Sequence, residues 1–251
     1  MIFYKIYNYL SGIYPSHADD GVYGVTQNLK LLPSDKVDSE CIGVALIHNG
    51  HRIMIEKNEN NNQSYIKAGQ GKYSNVIFYW GGSDTDQGGI ENYRNVDGVN
   101  IRGYLKPEQS EYVSTPHISY NISEWTQGCI SDWNGRSNSE ILKLVTTGGY
   151  DHNSYATIGF VLNTFLNSDD AKGLDDWYIP SIPQLALIYM YKNSINNIMS
   201  SIDGLILGNY LPYWSSSEFG LDIAWTIRMD NGYVDYMNKI SEFRVRFVRD
   251  I

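Results

Sequence analysis

Five histidines, two cysteines and one Asp/Asn-rich stretch are the residues of this chain whose chemistry reaches beyond packing. A histidine works as a general base or a metal ligand only where neighbouring groups hold its ring and define what it acts on. His17, His48, His51, His117 and His152 are spread along the sequence. His48 and His51 flank a turn and the others fall in loop-like segments, so none has a partner at catalytic spacing. Cys41 and Cys129 stand far apart, without Cys-x-x-Cys or histidine at zinc spacing, and predict neither a disulfide framework nor a zinc site. No Ser-His-Asp set, nucleophile elbow or phosphate-cradling glycine loop stands out. Asp132, Asn134 and Asn138, in DWNGRSNSE, look like the start of a calcium loop. The alternating carboxylates and closing bidentate Glu are missing, which leaves an Asx turn as the reading. The expectation is therefore a protein that is not an enzyme, with no catalytic residue, no metal and no cofactor.

Composition narrows the partners. A chain of 251 residues makes one large or two modest domains, and at this size roughly 70% or more of the unfolded surface is buried. Hydrophobic content of 42% and charged content of 19% are those of a globular protein. The net charge is -9, with basic residues scattered until the terminal FRVRFVRDI, so nucleic acid is not an expected partner. Tyrosine, at 21 residues, and asparagine are abundant. Tyr supplies rigid amphipathic contact and Asn adaptable hydrogen bonding, as in binding loops; an AT-rich genome gives the same bias. No apolar run is long enough to cross a membrane as a helix. The N-terminal MIFYKIYNYLSGIYPSHADD does not read as a signal peptide, because Tyr7, Asn8 and Tyr9 interrupt its apolar region.

The elements that must position any site read as mixed. Val22–Leu32 is strand-like, and IGVALIHNGHRIMIEKN holds Asn49-Gly50 between two β-rich runs, a type I′ hairpin signal. Residues 70–149 read as loop-rich, with short aromatic strands such as VIFYW. In YATIGFVLNTFL, Ile158, Val161, Leu162 and Phe165 recur at helical spacing, with Asn153 or Ser154 as cap. Trp177, Tyr178 and Ile179 suit a short strand that Pro180 ends. Ser181 and Gln184 then form a capping box for a helix over about residues 182–198. YWSSSEF is a strand, and AWTIRMDNGYVDYMN is a hairpin about Asn231-Gly232. A two-residue turn there sets Met229 against Val234 and Ile227 against Tyr236, with Arg228, Tyr233, Asp235 and Met237 on the opposite face. FRVRFVRDI is a final strand paired inside the sheet.

The order DWYIPS, helix, YWSSSE, AW with its hairpin, then RVR resembles the C-type-lectin-like domains found at the C-terminus of bacterial collagen-like adhesins and in many phage and surface proteins. Trp177, Pro180, Ser181, Trp214, Ser215, Ser216, Glu218, Trp225, Arg244, Val245 and Arg246 match in order, over about residues 145–251. The resemblance implies an α+β, C-type-lectin-like fold, two helices flanking a twisted antiparallel sheet, preceded by an N-terminal β-meander. Retroelement variable proteins are distant relatives. The formylglycine-generating enzymes share the fold but depend on cysteines in their C-terminal half, and no Cys follows Cys129 here. The expected division is an N-terminal arm at 1–20, a β-meander at 21–70 and the lectin-like domain at 71–251, with 21–251 as one compact unit the alternative. The signature residues read as scaffold: Trp177 and Trp214 in the core, the Ser215 to Ser217 hydroxyls on buried backbone groups, and Glu218 or Asp176 paired with Arg244 or Arg246.

Binding then falls to what the scaffold displays: Tyr210, Tyr213, Phe219, Asp222, Arg228, Tyr233 and Asp235. Aromatic rings stack on the apolar faces of sugars while Asp, Asn and Arg reach hydroxyls. The Glu-Pro-Asn, Gln-Pro-Asp and Trp-Asn-Asp motifs of calcium-dependent lectins are absent, so any sugar recognition is expected to be calcium-independent. The expected function is a non-enzymatic adhesion module, displayed on a phage virion as a fibre or decoration protein and recognising a bacterial cell-surface glycan or protein. A purely structural virion component and a bacterial surface or extracellular adhesin are the alternatives. The N-terminal arm would contact other virion proteins, and display as a homo-oligomer is plausible although no heptad or collagen repeat is present. Neither nucleic acid nor membrane is an expected partner.

Overall fold

The computed structural model describes residues 14–58, 78–81, 132–144, 157–208, 211–219 and 223–251 in full, and the backbone of 103–106, 111–114, 118–121, 147–148 and 155–156. These form an α+β fold with antiparallel sheets and, among the described residues, four α-helices. The chain makes two compact units that do not divide at one point in the sequence. One unit takes the described residues of Met1–Glu59 with Tyr191–Leu207 and Val248–Ile251; the other takes those of Asn60–Met190 with Gly208–Phe247. This corrects the expected division near residue 70. A meander has two faces to cover, and a helix and a terminal strand from far along the chain complete its layers.

In the first unit, β1 (Gly21–Val25), β2 (Leu31–Leu32), β3 (Gly43–His48) and β4 (His51–Glu56) are joined by the last strand, β13 (Val248–Asp250), in the order β13-β4-β3-β1-β2. The Asn49-Gly50 turn is the expected one. Its two residues have φ of 47° and 85°, the left-handed pair that matches strand twist, and His48 faces His51. Val22–Leu32 is not one strand: Lys30 N donates to Thr26 Oγ1 at 3.1 Å, Leu29 has φ 57°, and the chain doubles back so that Val25 pairs with Leu31. The helix α4 (Lys192–Ser201) buries Ile195, Ile198 and Met199, at i, i+3 and i+4, against β1 and β3.

In the second unit, six antiparallel strands run β10-β11-β12-β5-β6-β7, with β5 at Gly103–Lys106, β6 at Glu111–Ser114, β7 at Ile118–Asn121, β10 at Tyr213–Glu218, β11 at Ile223–Ile227 and β12 at Tyr233–Asn238. Thr147–Gly148 (β8) and Tyr155–Ala156 (β9) form a separate pair. The described parts of residues 70–149 are thus more regular than expected, and DWNGRSNSE supplies a helix, α1 (Gly135–Leu142). Its sequence hides it, because the residues it buries include Gly135, Asn138 and Ser139 in place of an apolar stripe.

The helix α2 (Ile158–Leu166) buries the four predicted stripe residues, but it starts later than expected. Thr157 Oγ1, accepting from Phe160 N at 3.2 Å, is the cap, and Tyr155 is already committed to β9. Phe165 of this stripe meets Trp177 edge-on at 5.6 Å and Phe247 at 4.9 Å. Residues 177–179 are not a regular strand: Ile179 N donates to Ser139 Oγ at 2.8 Å and Pro180 O accepts from Ser216 N at 2.9 Å. The capping pair is real in one arm, since Gln184 Oε1 accepts from Ser181 N at 2.9 Å; the Ser181 hydroxyl also donates to that oxygen, at 3.1 Å. The predicted helix over 182–198 is two helices. α3 (Ile182–Met190) is buried from Ile182 through Tyr189, and at Tyr191 (φ -99°, ψ 9°) the chain leaves it for α4 in the other unit. FRVRFVRDI divides likewise: Phe243 bridges Phe78, Arg244 bridges Tyr213, and only 248–250 enter a regular strand.

Candidate functional site

The β11–β12 hairpin carries most of the predicted binding residues, so its register decides which of them lie together. Ile227 pairs with Val234, Thr226 with Asp235 and Trp225 with Tyr236. The connection is therefore four residues long, not two. Arg228 O accepts from Gly232 N at 2.8 Å, Asn231 Oδ1 from Tyr233 N at 3.0 Å, and Met229 is drawn fully into the core. The correction shifts the register by two residues, which preserves faces because side chains alternate with period two. Arg228, Tyr233 and Asp235 accordingly share one face, each half-buried, as expected. Arg228 is already engaged there, gripping Asp230 through Nε and Nη2 at 3.1 and 2.8 Å.

The opposite face carries an aromatic ledge. Phe219 and Tyr236, both half-buried, have ring centroids 4.4 Å apart at 35°. Beneath them lies the fully buried Trp225, 5.4 Å from Phe219 and 5.5 Å from Tyr236, edge-on to the latter at 87°. Phe219 is thus separated from the Arg228 group. The two-residue turn had set Tyr236 against Ile227; a four-residue count places it opposite Trp225. Tyr213 is a correction too. It is fully buried, paired with Ile227 on one side and bridged to Arg244 on the other, so its ring is core and not display. Tyr210 and Asp222 lie outside the described residues.

The signature residues behind this hairpin are committed to scaffold. Trp214 Nε1 donates to Phe78 O at 2.8 Å, and its ring meets Phe243 at 4.9 Å. Trp80 Nε1 donates to Ser215 O, Ser215 Oγ to Trp225 O at 2.8 Å, and Ser217 Oγ accepts from Ile182 N at the start of α3. Glu218, for which Arg244 or Arg246 was the expected partner, binds Lys239 through its carboxylate, and both side chains are fully buried. The Lys239 ammonium also lies 4.7 Å from the centroid of the Trp80 ring. Asp176 takes Arg136 at 3.6 Å. Lys239, at the end of a polar strand, was missed, because nothing in the local pattern distinguishes it from a solvated strand end.

Asp132 is another fully buried acid. Its Oδ2 accepts from Ser217 Oγ at 2.6 Å and Asn138 Nδ2 at 2.9 Å, and its Oδ1 accepts from Asn134 N at 3.2 Å, an Asx turn leading into α1. Burial pushes this carboxyl above the usual carboxylate range, while the hydrogen bonds from Ser217, Asn134 and Asn138 pull it back in part. The folded state therefore holds the proton more tightly than the unfolded chain. The stability Asp132 contributes is fully present below the unfolded value, about 4, and is lost as the pH rises through the folded value. Thermal melts should show wild type exceeding Asp132→Asn by more at about pH 4 than at about pH 7; a gap that widens towards neutrality contradicts this assignment. Among the described residues, no group of three or more His, Cys, Asp or Glu is placed to hold a metal ion.

Residues 124–249, half of the chain, match the family model described as the Lcl C-terminal domain. The chain belongs to the Lcl C-terminal domain family. The matched span contains Asp132, the serine strand, the aromatic ledge and Lys239, so scaffold and candidate site both lie within the Lcl C-terminal domain. The fold is similar to that of a fimbrial protein from Bacteroides ovatus ATCC 8483, with a TM-score of 0.50 and 12% identity over 94% of this chain and 49% of that one. This chain thus spans about half the length of the fimbrial protein, and the likeness is one of fold. No curated protein sequence matches the chain.

Proposed function

We propose that this Lcl C-terminal domain protein is a non-enzymatic adhesion module that binds a cell-surface glycan on the Phe219–Tyr236 ledge. The ledge itself carries the reading. Two half-exposed rings are held against a buried tryptophan, so little side-chain freedom remains to be lost when a ligand stacks on them. Aromatic faces suit the apolar faces of pyranose rings, and exposed Asn238, two residues along the same face as Tyr236, suits a hydroxyl. The net charge of -9 favours a neutral glycan over a polyanionic surface. A family linked to adhesin-like C-terminal domains and a fold shared with a fimbrial protein support surface display. The bearer is a virion, as expected from the sequence, or a cell surface; in either setting, repeated copies convert weak single-site contacts into firm attachment. The C-type-lectin-like character of the fold, inferred from the signature residues, belongs to the same proposal.

A glycan array and intact bacterial cells, probed with the labelled protein with and without chelator, test it. Saturable binding that is indifferent to chelator is expected, falling roughly tenfold, or about 1.4 kcal/mol, in the Phe219→Ala/Tyr236→Ala double variant. Binding by the folded double variant at wild-type strength removes the ledge from the account.

A further inference from the structure

The chain contains two Asn-Gly pairs at hairpin tips in chemically opposite settings. At Asn231-Gly232 the glycine nitrogen is engaged, donating to Arg228 O at 2.8 Å, and the asparagine oxygen accepts from Tyr233 N at 3.0 Å. At Asn49-Gly50 the glycine nitrogen makes no hydrogen bond among the described residues, and a Cβ built on Gly50 would meet nothing within 4 Å, so the tip is open to water. The Asn49 side chain instead offers its nitrogen to a histidine: Nδ2 lies 2.9 Å from His48 Nε2. That ring is held from its other side by the Tyr191 hydroxyl, 2.8 Å from Nδ1, with Asp20 Oδ2 3.6 Å from the same nitrogen. Asp20 Oδ2 also accepts from Asn49 N at 2.9 Å, tying the asparagine and the histidine to one carboxylate.

We propose that Asn49-Gly50 is a self-modifying site, at which the chain converts its own asparagine to aspartate and isoaspartate with His48 as proton donor and water as the only co-reactant. The Gly50 nitrogen attacks Cγ of Asn49, giving its proton to solvent as the new C–N bond forms. In the tetrahedral adduct the former amide nitrogen becomes an amine with a lone pair. It takes a proton from His48 Nε2, to which solvent supplies that proton, the oxyanion re-forms the carbonyl as the Cγ–Nδ2 bond breaks, and ammonia leaves. Water then opens the succinimide at either carbonyl. The product places a second carboxylate beside Asp20, and isoaspartate also lengthens the backbone of a tight turn. The step is independent of the ledge and of any glycan.

Trypsin cuts after Lys36 and Arg52 and after Arg228 and Lys239, so the two sites fall in separate peptides, residues 37–52 and 229–239. The full-length protein is incubated at neutral pH, folded or in urea, and the amide-to-acid mass shift is followed in each peptide, with isoaspartate detected enzymatically. In the folded protein, 37–52 should convert at least about a hundredfold faster than 229–239, the lower end of what one positioned proton donor contributes. In urea the two rates should converge. His48→Gln, checked for folding by circular dichroism, should bring the folded rate of 37–52 down towards that of 229–239. Equal folded rates at the two sites, or a rate at 37–52 unchanged by His48→Gln, would overturn the proposal.

Discussion

Lys239→Met is expected to cost the fold about 3–5 kcal/mol, because it leaves the Glu218 carboxylate buried without its counter-charge. The cost is not the value of the ion pair itself. Taking two ions out of water nearly cancels their attraction, so Glu218→Gln/Lys239→Met, which removes both charges, should recover much of the loss. The recovery will be incomplete, since Met gives up the contact of the ammonium with the Trp80 face. Urea melts of the wild type, both single variants and the double variant give the coupling energy directly. Single variants that lose less than about 1 kcal/mol would mean that the pair is solvated and does not organise this part of the core.

Gly159→Ala should be the other severe substitution, and its sign runs against helix propensity. In an exposed helix, alanine in place of glycine gains about 1 kcal/mol. Here α2 crosses the end of α1 so closely that the new Cβ would lie 1.8 Å from Leu142 O and 2.4 Å from Leu142 C, both backbone atoms. Backbone cannot swing aside as a side chain does, and the Asn163 amide nitrogen, donating to Lys143 O at 2.8 Å, ties the same crossing. Overpacking costs roughly 1–3 kcal/mol and more against a rigid wall, so the net loss is expected at about 3 kcal/mol. For a protein of this size that lowers Tm by about 6–12 °C. An unchanged or raised Tm would show that the two helices separate freely.

What the sequence shows and what it conceals divide along physical lines. Period-two alternation around Asn49-Gly50 and the stripe from Ile158 to Phe165 arise from local geometry, and both elements are where local rules put them. Helix α1 is invisible to the same rules, because it buries Asn138 and Ser139, whose polar atoms are satisfied locally by Asp132 and Gly135 O and, forty residues along the chain, by Ile179 N. The division of the 182–198 helix at Tyr191 is a tertiary fact as well, since the two halves serve different cores. Lys239 belongs with them: a charge becomes a core residue only when a partner from another strand is brought to it. At the candidate site, Phe219 was legible as a displayed ring. Tyr236 was not, because the Asn231-Gly232 dipeptide suggests a two-residue turn, whereas the burial of Met229 and the Asn231 side-chain bond favour four.

The central claim is that one face of the β11–β12 hairpin binds and the other does not. It is tested most directly by titrating the strongest glycan found on the array into wild type, Tyr236→Ala and Tyr233→Ala, all of confirmed fold, by calorimetry. Tyr236→Ala should bind roughly tenfold more weakly, while Tyr233→Ala, on the Arg228 and Asp235 face, should stay within about twofold of wild type. The reverse order would move binding to the Arg228 face, and full affinity in both variants would contradict sheet-face recognition altogether.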